Sequence, residues 1–207
     1  MTLLIGNRRT SSWSLRGWLA LAKSNLTFDT ELVLLDTPET HATLKALSPS
    51  ATVPLLKTPA GAIWDSLAIA EFAAEHCPEL WPSDPHQRAL ARAACAQMHS
   101  GFFALRDQCP MDLQRAPEPV ELSDKTRRDV ENMQDLWTSV RSGEGPHLFG
   151  AWSLADAFFT PVAERFRAYA VNLQPQAQAY CDTLLNDDTF RVWKEAALAE
   201  TFQTVLD

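Results

Sequence analysis

A chain of 207 residues, 46% hydrophobic and 21% charged, is long enough for a sizeable core and has the balance of an ordinary globular protein. Its net charge of −8, from 26 acidic residues against 18 Lys and Arg, argues against a nucleic-acid binder: the densest basic stretches, Arg8-Arg9 and Lys125 to Arg128, sit among polar or acidic neighbours. No apolar run approaches the roughly 18 residues that span a bilayer, and Met1-Thr2-Leu3-Leu4-Ile5-Gly6 is broken too soon for a signal peptide, so a cytoplasmic protein with no membrane partner is expected.

In chain order, Leu3-Leu4-Ile5 reads as a first strand closed by Gly6-Asn7, and the spacing of Leu15, Trp18, Leu19 and Ala22 predicts a helix from Ser12 to Lys23. Phe28 to Leu35 carries a second strand and Pro38 to Leu47 a short helix. Val53 to Lys57 and Ala62 to Trp64 read as two more strands joined by the turn residues Thr58-Pro59-Ala60-Gly61. A helix follows from Ser66 to about His76, with Leu67, Ile69, Ala70 and Phe72 inward.

Three prolines between Cys77 and Pro85 interrupt regular structure and mark a linker. Beyond it only helical periodicity remains. Leu90, Ala94, Met98, Gly101, Phe102 and Leu105 form one face, Val130, Met133, Leu136, Trp137 and Val140 another, and Leu154, Phe158, Val162, Phe166 and Tyr169 a third. Pro161 predicts a kink or break in the last of these. Shorter helices cover Gln176 to Leu185 and Phe190 to Ala199. The expected architecture is an α/β unit of order βαβαββα over residues 1–77, a linker over 78–85, and an all-helical bundle over 86–207.

Cys77, Cys95, Cys109 and Cys181 include no C-x-x-C pair, and His41, His76, His86, His99 and His147 show no ligand spacing, so no metal is expected. Four local features carry chemistry. At Ser11-Ser12-Trp13-Ser14, hydroxyls stand where a strand hands over to a helix; taken alone they read first as caps, and second as a seat for an anion held by backbone N–H groups and the positive helix end. A thiolate there has its pKa lowered. Thr52-Val53-Pro54 offers a cis peptide that turns the backbone of Val53 toward a ligand, as a short extra strand would pair. Asp65-Ser66, at a strand-to-helix junction, suits an α-amino-carboxylate: ammonium on Asp65, carboxylate on Ser66 and the first-turn N–H groups. Ser153-Leu154-Ala155-Asp156 is a capping box and reads as a folding device.

The ordered set Ser11-Ser12, Val53-Pro54, Asp65-Ser66 and Ser153-x-x-Asp156 resembles the glutathione transferases over nearly the whole chain, and the linker Leu80-Trp81-Pro82-x-Asp84-Pro85 resembles that family's interdomain segment. Ser11-Ser12-Trp13-Ser14-Leu15-Arg16 is similar to the Ser-Ser-Cys-x-x-Arg segment of the zeta class, which includes the maleylacetoacetate isomerases. Trp13 stands where that class often has Cys, Thr52 where it often has Gln, and Phe103 about where it has a polar residue.

The resemblance implies a thioredoxin-like domain binding glutathione as co-substrate, followed by a helical domain, and a homodimer acting on a small electrophile. It implies a serine beside the sulfur at Ser11, with Ser12 adjacent and one residue of slip able to exchange them. It further implies a backbone clamp at Val53, next to Thr52, and γ-glutamyl recognition at Asp65 and Ser66. Phe102, Phe103 and Arg106 are the candidate lining of the second-substrate pocket, although the two aromatics read more readily as bundle core, and Arg106 also reads as a solvated side chain. Transfer to an electrophile, cis–trans isomerisation, or a non-catalytic interaction protein of this fold are the functions in play. A glutathione-dependent disulfide reductase is disfavoured because no cysteine lies near Ser11.

Overall fold

The computed structural model describes residues 1–34 and 38–201. Its first half is a four-stranded sheet with helices on both faces. Strands β1 (Thr2–Ile5), β2 (Asp29–Leu32), β3 (Leu55–Thr58) and β4 (Gly61–Trp64) take the order β2-β1-β3-β4. β1 runs parallel to β2, with Ile5 opposite Leu32, and antiparallel to β3, with Leu4 opposite Leu55. The β3–β4 hairpin turns on Pro59 and Ala60, where Thr58 Oγ1 accepts from the Ala60 N–H and donates to the Gly61 carbonyl.

The two-residue period of β1 divides the core. Leu3 and Ile5 join Leu56 under α1 (Ser12–Ala22) and α3 (Ser66–His76), whereas Leu4 and Leu55 face Leu44 of α2 (Pro38–Leu47). Helix α1 packs closely on α3, and Gly17 is where it meets Pro54: a Cβ built there would lie 3.0 Å from Pro54 Cγ. The second strand predicted over 28–35 is confined to Asp29–Leu32, and its end at Leu35 lies outside the described residues. Strand β3 starts at Leu55 rather than Val53 because Pro54 has no N–H to give the ladder. In α3, Ala73 and Ala74 are buried with Ile69 and Ala70, while the larger Leu67 and Phe72 are only half-buried against the core.

After a 3-10 turn at Pro78–Leu80, helices α4 (Pro85–Ser100), α5 (Phe103–Gln108), α6 (Asp124–Val140), α7 (Leu154–Ala168), α8 (Pro175–Leu185) and α9 (Asp188–Leu198) build the second half. The single face predicted from Leu90 to Leu105 is two helices. Gly101 ends α4 in extended conformation, and a Cβ on it would stand 2.8 Å from the Gln97 carbonyl; Phe102 follows in the left-handed region at φ 58°.

Helix α7 is the axis of this half, with every residue but Arg167 buried, and it packs on α1, α4 and α8. Pro161 does not break it. Enclosure on all sides holds the helix, and nearby Thr160 Oγ1 donates to the Asp156 carbonyl and Arg165 Nη1 to the Pro161 carbonyl. Its start carries the predicted capping box, with Ser153 N–H donating to Asp156 Oδ2 at 2.7 Å. The fold is therefore a thioredoxin-like α/β unit followed by a helical bundle.

Candidate functional site

Ser11 is the N-cap of α1. The turn before it is drawn tight by Ser11 N–H on the Asn7 carbonyl at 2.9 Å, and Ser11 Oγ accepts from Ser14 N–H at 3.3 Å. Facing this helix start is Val53, whose peptide bond to Pro54 is cis and which lies outside the ladder of β3. Asp65 caps α3 from a left-handed conformation at φ 78°, with Oδ1 accepting from Leu67 N–H at 2.7 Å. Beside it, Ser66 Oγ is buried with no hydrogen-bond partner among the described residues. A left-handed non-glycine residue and an unpaired buried hydroxyl are both costly, and such features cluster at functional sites.

These pieces wall one cavity of about 560 Å³, bordered by Ser11, Thr52, Val53, Asp65 and Ser66. Five of the expected residues thus come together although they derive from three separate stretches of chain. Trp13, Thr40, His41, Leu44, Ala51 and Pro54 complete the wall. Nothing in the sequence pointed to the α2 residues, because a short helix with weak amphipathic character gives no sign of the side that faces a ligand.

Ser12 is not on this wall. Its hydroxyl accepts from Arg165 Nη2 of α7 at 3.4 Å, so it turns to the helical half while Ser11 turns to the cavity. Behind the first turn of α1 lie two buried cations. Arg16 is fully buried, donates Nε–H to the Phe158 carbonyl at 3.2 Å, and has no partner for either terminal nitrogen among the described residues. Burial, then repulsion from Arg106 and Arg165, lowers its pKa well below the ordinary arginine value. Arg165 is lowered to about 10, first by burial and then by Arg106. Together with the helix end they make the ground under Ser11 and Ser12 electropositive.

The three residues expected to line a second-substrate pocket do not border this cavity. Phe102 is buried in the core, because its left-handed backbone turns the chain inward between α4 and α5. Phe103 is 71% exposed and, with Arg106, edges an open groove on the outer side of α5 and α6. The Arg106 guanidinium donates to the Gly101 and Met98 carbonyls, capping the end of α4, and lies 4.7 Å from the Trp13 ring centroid. Arg16 lies at the same distance from that ring, and His99 meets it edge-on at 5.0 Å. His99 also reaches Asp65, with Nε2 3.2 Å from Oδ2. Sequence reasoning missed this pair: its members sit in different halves of the chain and share no motif.

The loop that delivers Ser11 is held from the helical half. Glu200 accepts from Arg8 N–H at 3.0 Å and Arg9 N–H at 3.3 Å, and Trp193 Nε1 donates to the Arg8 carbonyl at 3.1 Å. Arg9 forms a two-pronged pair with Asp112, at 2.7 and 2.9 Å, and its carbonyl accepts from Leu113 N–H.

The family model for the glutathione S-transferase N-terminal domain matches residues 10–76, the stretch containing every wall residue of the cavity. A probable maleylacetoacetate isomerase of Caenorhabditis elegans is 36% identical over 172 residues, 81% of this chain and 79% of that protein. The chain belongs to the glutathione S-transferase family. Solved glutathione S-transferases extend the likeness to nearly the whole fold. A maleyl pyruvate isomerase, described as a bacterial glutathione S-transferase of the zeta class, superposes with a TM-score of 0.74 at 25% identity, over 98% of this chain and all of that one. A glutathione transferase homologue from Burkholderia gl BGR1, with bound glutathione, gives 0.75 at 22% identity, over 96% and 98% of the two chains. As a glutathione S-transferase the chain is a glutathione-dependent enzyme of the transferase and isomerase group. Among the described residues no group of His, Cys, Asp and Glu is arranged to hold a metal, and no helix is long and apolar enough to cross a membrane.

Proposed function

We propose that this glutathione S-transferase activates the glutathione thiol by a serine mechanism, with Ser11 donating a hydrogen bond to the sulfur. The observation that carries the reading is the position of Ser11 Oγ at the N-terminus of α1, on the same cavity wall as Val53, Asp65 and Ser66. Ser11 is favoured over Ser12 because the Ser12 hydroxyl is engaged by Arg165. In this reading the backbone of Val53, with Thr52 beside it, pairs with the cysteinyl residue. Asp65 takes the γ-glutamyl ammonium, while the partnerless Ser66 hydroxyl and the N–H groups of α3 take its carboxylate.

A hydrogen bond to a charged sulfur is worth about 1.5–3 kcal/mol, enough with the helix end to lower the thiol pKa by roughly two units. The thiolate then attacks an electrophilic carbon of a small second substrate; the thiol proton goes to solvent and the leaving group departs with the bonding pair. The enzyme works as a cytoplasmic homodimer. A second reading, cis–trans isomerisation of an activated double bond, is favoured by the name of the 36%-identical relative. There the thiolate adds, the single bond rotates, and the thiolate leaves again, so glutathione is not consumed.

Calorimetry of glutathione binding with proton release, on the wild type and Ser11→Ala, tests the mechanism. Release lost in Ser11→Ala supports it. Equal release in both moves the role to Ser12 or the helix end, and absence of binding refutes the enzyme reading in favour of a fold kept for contact with another protein. Net loss of glutathione during turnover separates transfer from isomerisation.

A further inference from the structure

We propose that Ser14 is a positioning residue that turns the Ser11 hydroxyl toward the glutathione sulfur, an inference that rests on the serine mechanism above. Ser14 is fully buried, yet its hydroxyl is spent on the loop rather than on its own helix. A serine inside a helix commonly bonds the carbonyl one turn back. Ser14 Oγ instead accepts from Gly6 N–H at 3.0 Å, at the end of β1, and from Ser11 Oγ at 2.8 Å. Ser14 N–H in turn donates to Ser11 Oγ at 3.3 Å. The Ser11 hydroxyl is therefore gripped by Ser14 through both its proton and its lone pair.

In the unliganded arrangement the Ser11 proton points at Ser14, which leaves a lone pair for the cavity. That orientation suits a neutral thiol, which donates. A thiolate needs the opposite orientation, and hydroxyl protons rotate freely enough to supply it. When the thiol proton leaves for solvent, Ser11 turns its proton to the sulfur and Ser14 turns its own proton to Ser11 Oγ. The Gly6 N–H stays on Ser14 Oγ throughout. The result is a chain of donors running Gly6 N–H, Ser14 O–H, Ser11 O–H to sulfur, in which each bond polarises the next. Only the S–H bond breaks. Ser14 touches no substrate atom; it acts through Ser11. Without it, Ser11 must offer its proton with no hydroxyl donor behind it, and Gly6 N–H loses its partner.

The test is the pH titration of the thiolate ultraviolet absorbance of bound glutathione in the wild type, Ser14→Ala, Ser14→Cys and Ser11→Ala. Affinity for S-methylglutathione, which has no thiol to ionise, is measured alongside. Arg16, Arg165, Arg106, Asp65, His41 and His99, the other charged or titratable groups about the turn, are common to all four proteins. Ser14→Ala is expected to raise the bound-thiol pKa by about half to one unit, with S-methylglutathione affinity within about twofold of wild type. Ser14→Cys, nearly the same size but a weak donor, falls between the two. An unchanged or lowered thiol pKa in Ser14→Ala, beside a raised one in Ser11→Ala, overturns the proposal and leaves the serine mechanism standing. So does a rise matched by an equal loss of S-methylglutathione binding, which means packing. If Ser14→Ala does not fold, a wild-type pKa in Ser14→Cys overturns it equally. A wild-type bound thiol at its free value, or one indifferent to Ser11→Ala, removes the serine mechanism and this inference with it.

Discussion

Replacing Asp156 by Ala should remove a large part of the stability of the helical half, and the size of the loss can be worked from its contacts. Asp156 is fully buried at the start of α7. Its Oδ2 accepts from Ser153 N–H at 2.7 Å and from Ser153 Oγ at 3.2 Å; its Oδ1 accepts from Tyr180 Oη of α8 at 2.7 Å. Alanine leaves the Ser153 N–H and the Tyr180 hydroxyl buried and unpaired, at about 1–3 kcal/mol each, and removes a cap worth about 1 kcal/mol. Overlap among these gives a loss of about 3–5 kcal/mol, against a total of about 5–15 kcal/mol for a folded protein. Urea unfolding of the wild type, Asp156→Ala, Tyr180→Phe and the double variant measures it. Tyr180→Phe should cost about 1–2 kcal/mol alone and distinctly less in the Asp156→Ala background, since the hydroxyl then has no acceptor to lose. A loss under about 1 kcal/mol for Asp156→Ala, or strict additivity of the pair, would refute the reasoning.

Three further outcomes are expected. Burial pushes the Asp112 carboxyl up, but the Arg9 hydrogen bonds, the Gln114 N–H and the Arg9 charge outweigh it and hold its pKa below the usual range. A depressed folded pKa means stability that is present above the unfolded value near 3.9 and lost as pH falls through the folded one. In urea midpoints over a pH series, the advantage of wild type over Asp112→Asn should therefore shrink below about pH 4, and parallel profiles would contradict it. All four cysteines are buried, and burial raises each thiol, Cys109 to about 11. At pH 8 only about one part in a thousand of Cys109 is thiolate, so alkylation of native protein should be slow and become rapid in denaturant; prompt labelling of any of the four would count against the packing described. Finally, Gly17→Val should cost about 1–3 kcal/mol and, if Val53 clamps glutathione as proposed, weaken its binding, because the side chain presses on Pro54 next to Val53; wild-type affinity would argue against that clamp or for its independence of α1.

The sequence showed local matters well. Short apolar runs and turn residues located β1 and the β3–β4 hairpin, and α1, α8 and α9 lie within a residue or two of their expected bounds, whereas the face from Val130 to Val140 caught only the later part of α6. What it missed was decided by tertiary contact. Periodicity carried the α4 face straight through Gly101, since the short approach to the Gln97 carbonyl is invisible in a pattern of apolar residues. Pro161 reads as a break until the helix is seen enclosed on every side. In the site, the wall residues beside Ser11 and Asp65 were legible because capping chemistry sits at element ends. The Asp65–His99 pair and the Ser12–Arg165 bond were not, because each joins two halves that have no local signal in common. The same blindness left Phe102 open between core and pocket, where it fills the core, and gave no sign that Arg106, on the edge of the outer groove, also caps α4.

The hold of Glu200, Trp193, Asp112 and Arg165 on the Ser11 loop has a consequence for how this family can be recombined. A hybrid cut at the proline-rich linker would keep the whole cavity wall from one parent, yet take its loop anchors from the other. The swap is tolerated only where the incoming helices supply an acid at the Asp112 and Glu200 positions and a donor at Trp193. The natural unit of exchange is thus larger than the glutathione-binding half, and its far boundary lies past α9, beyond Glu200.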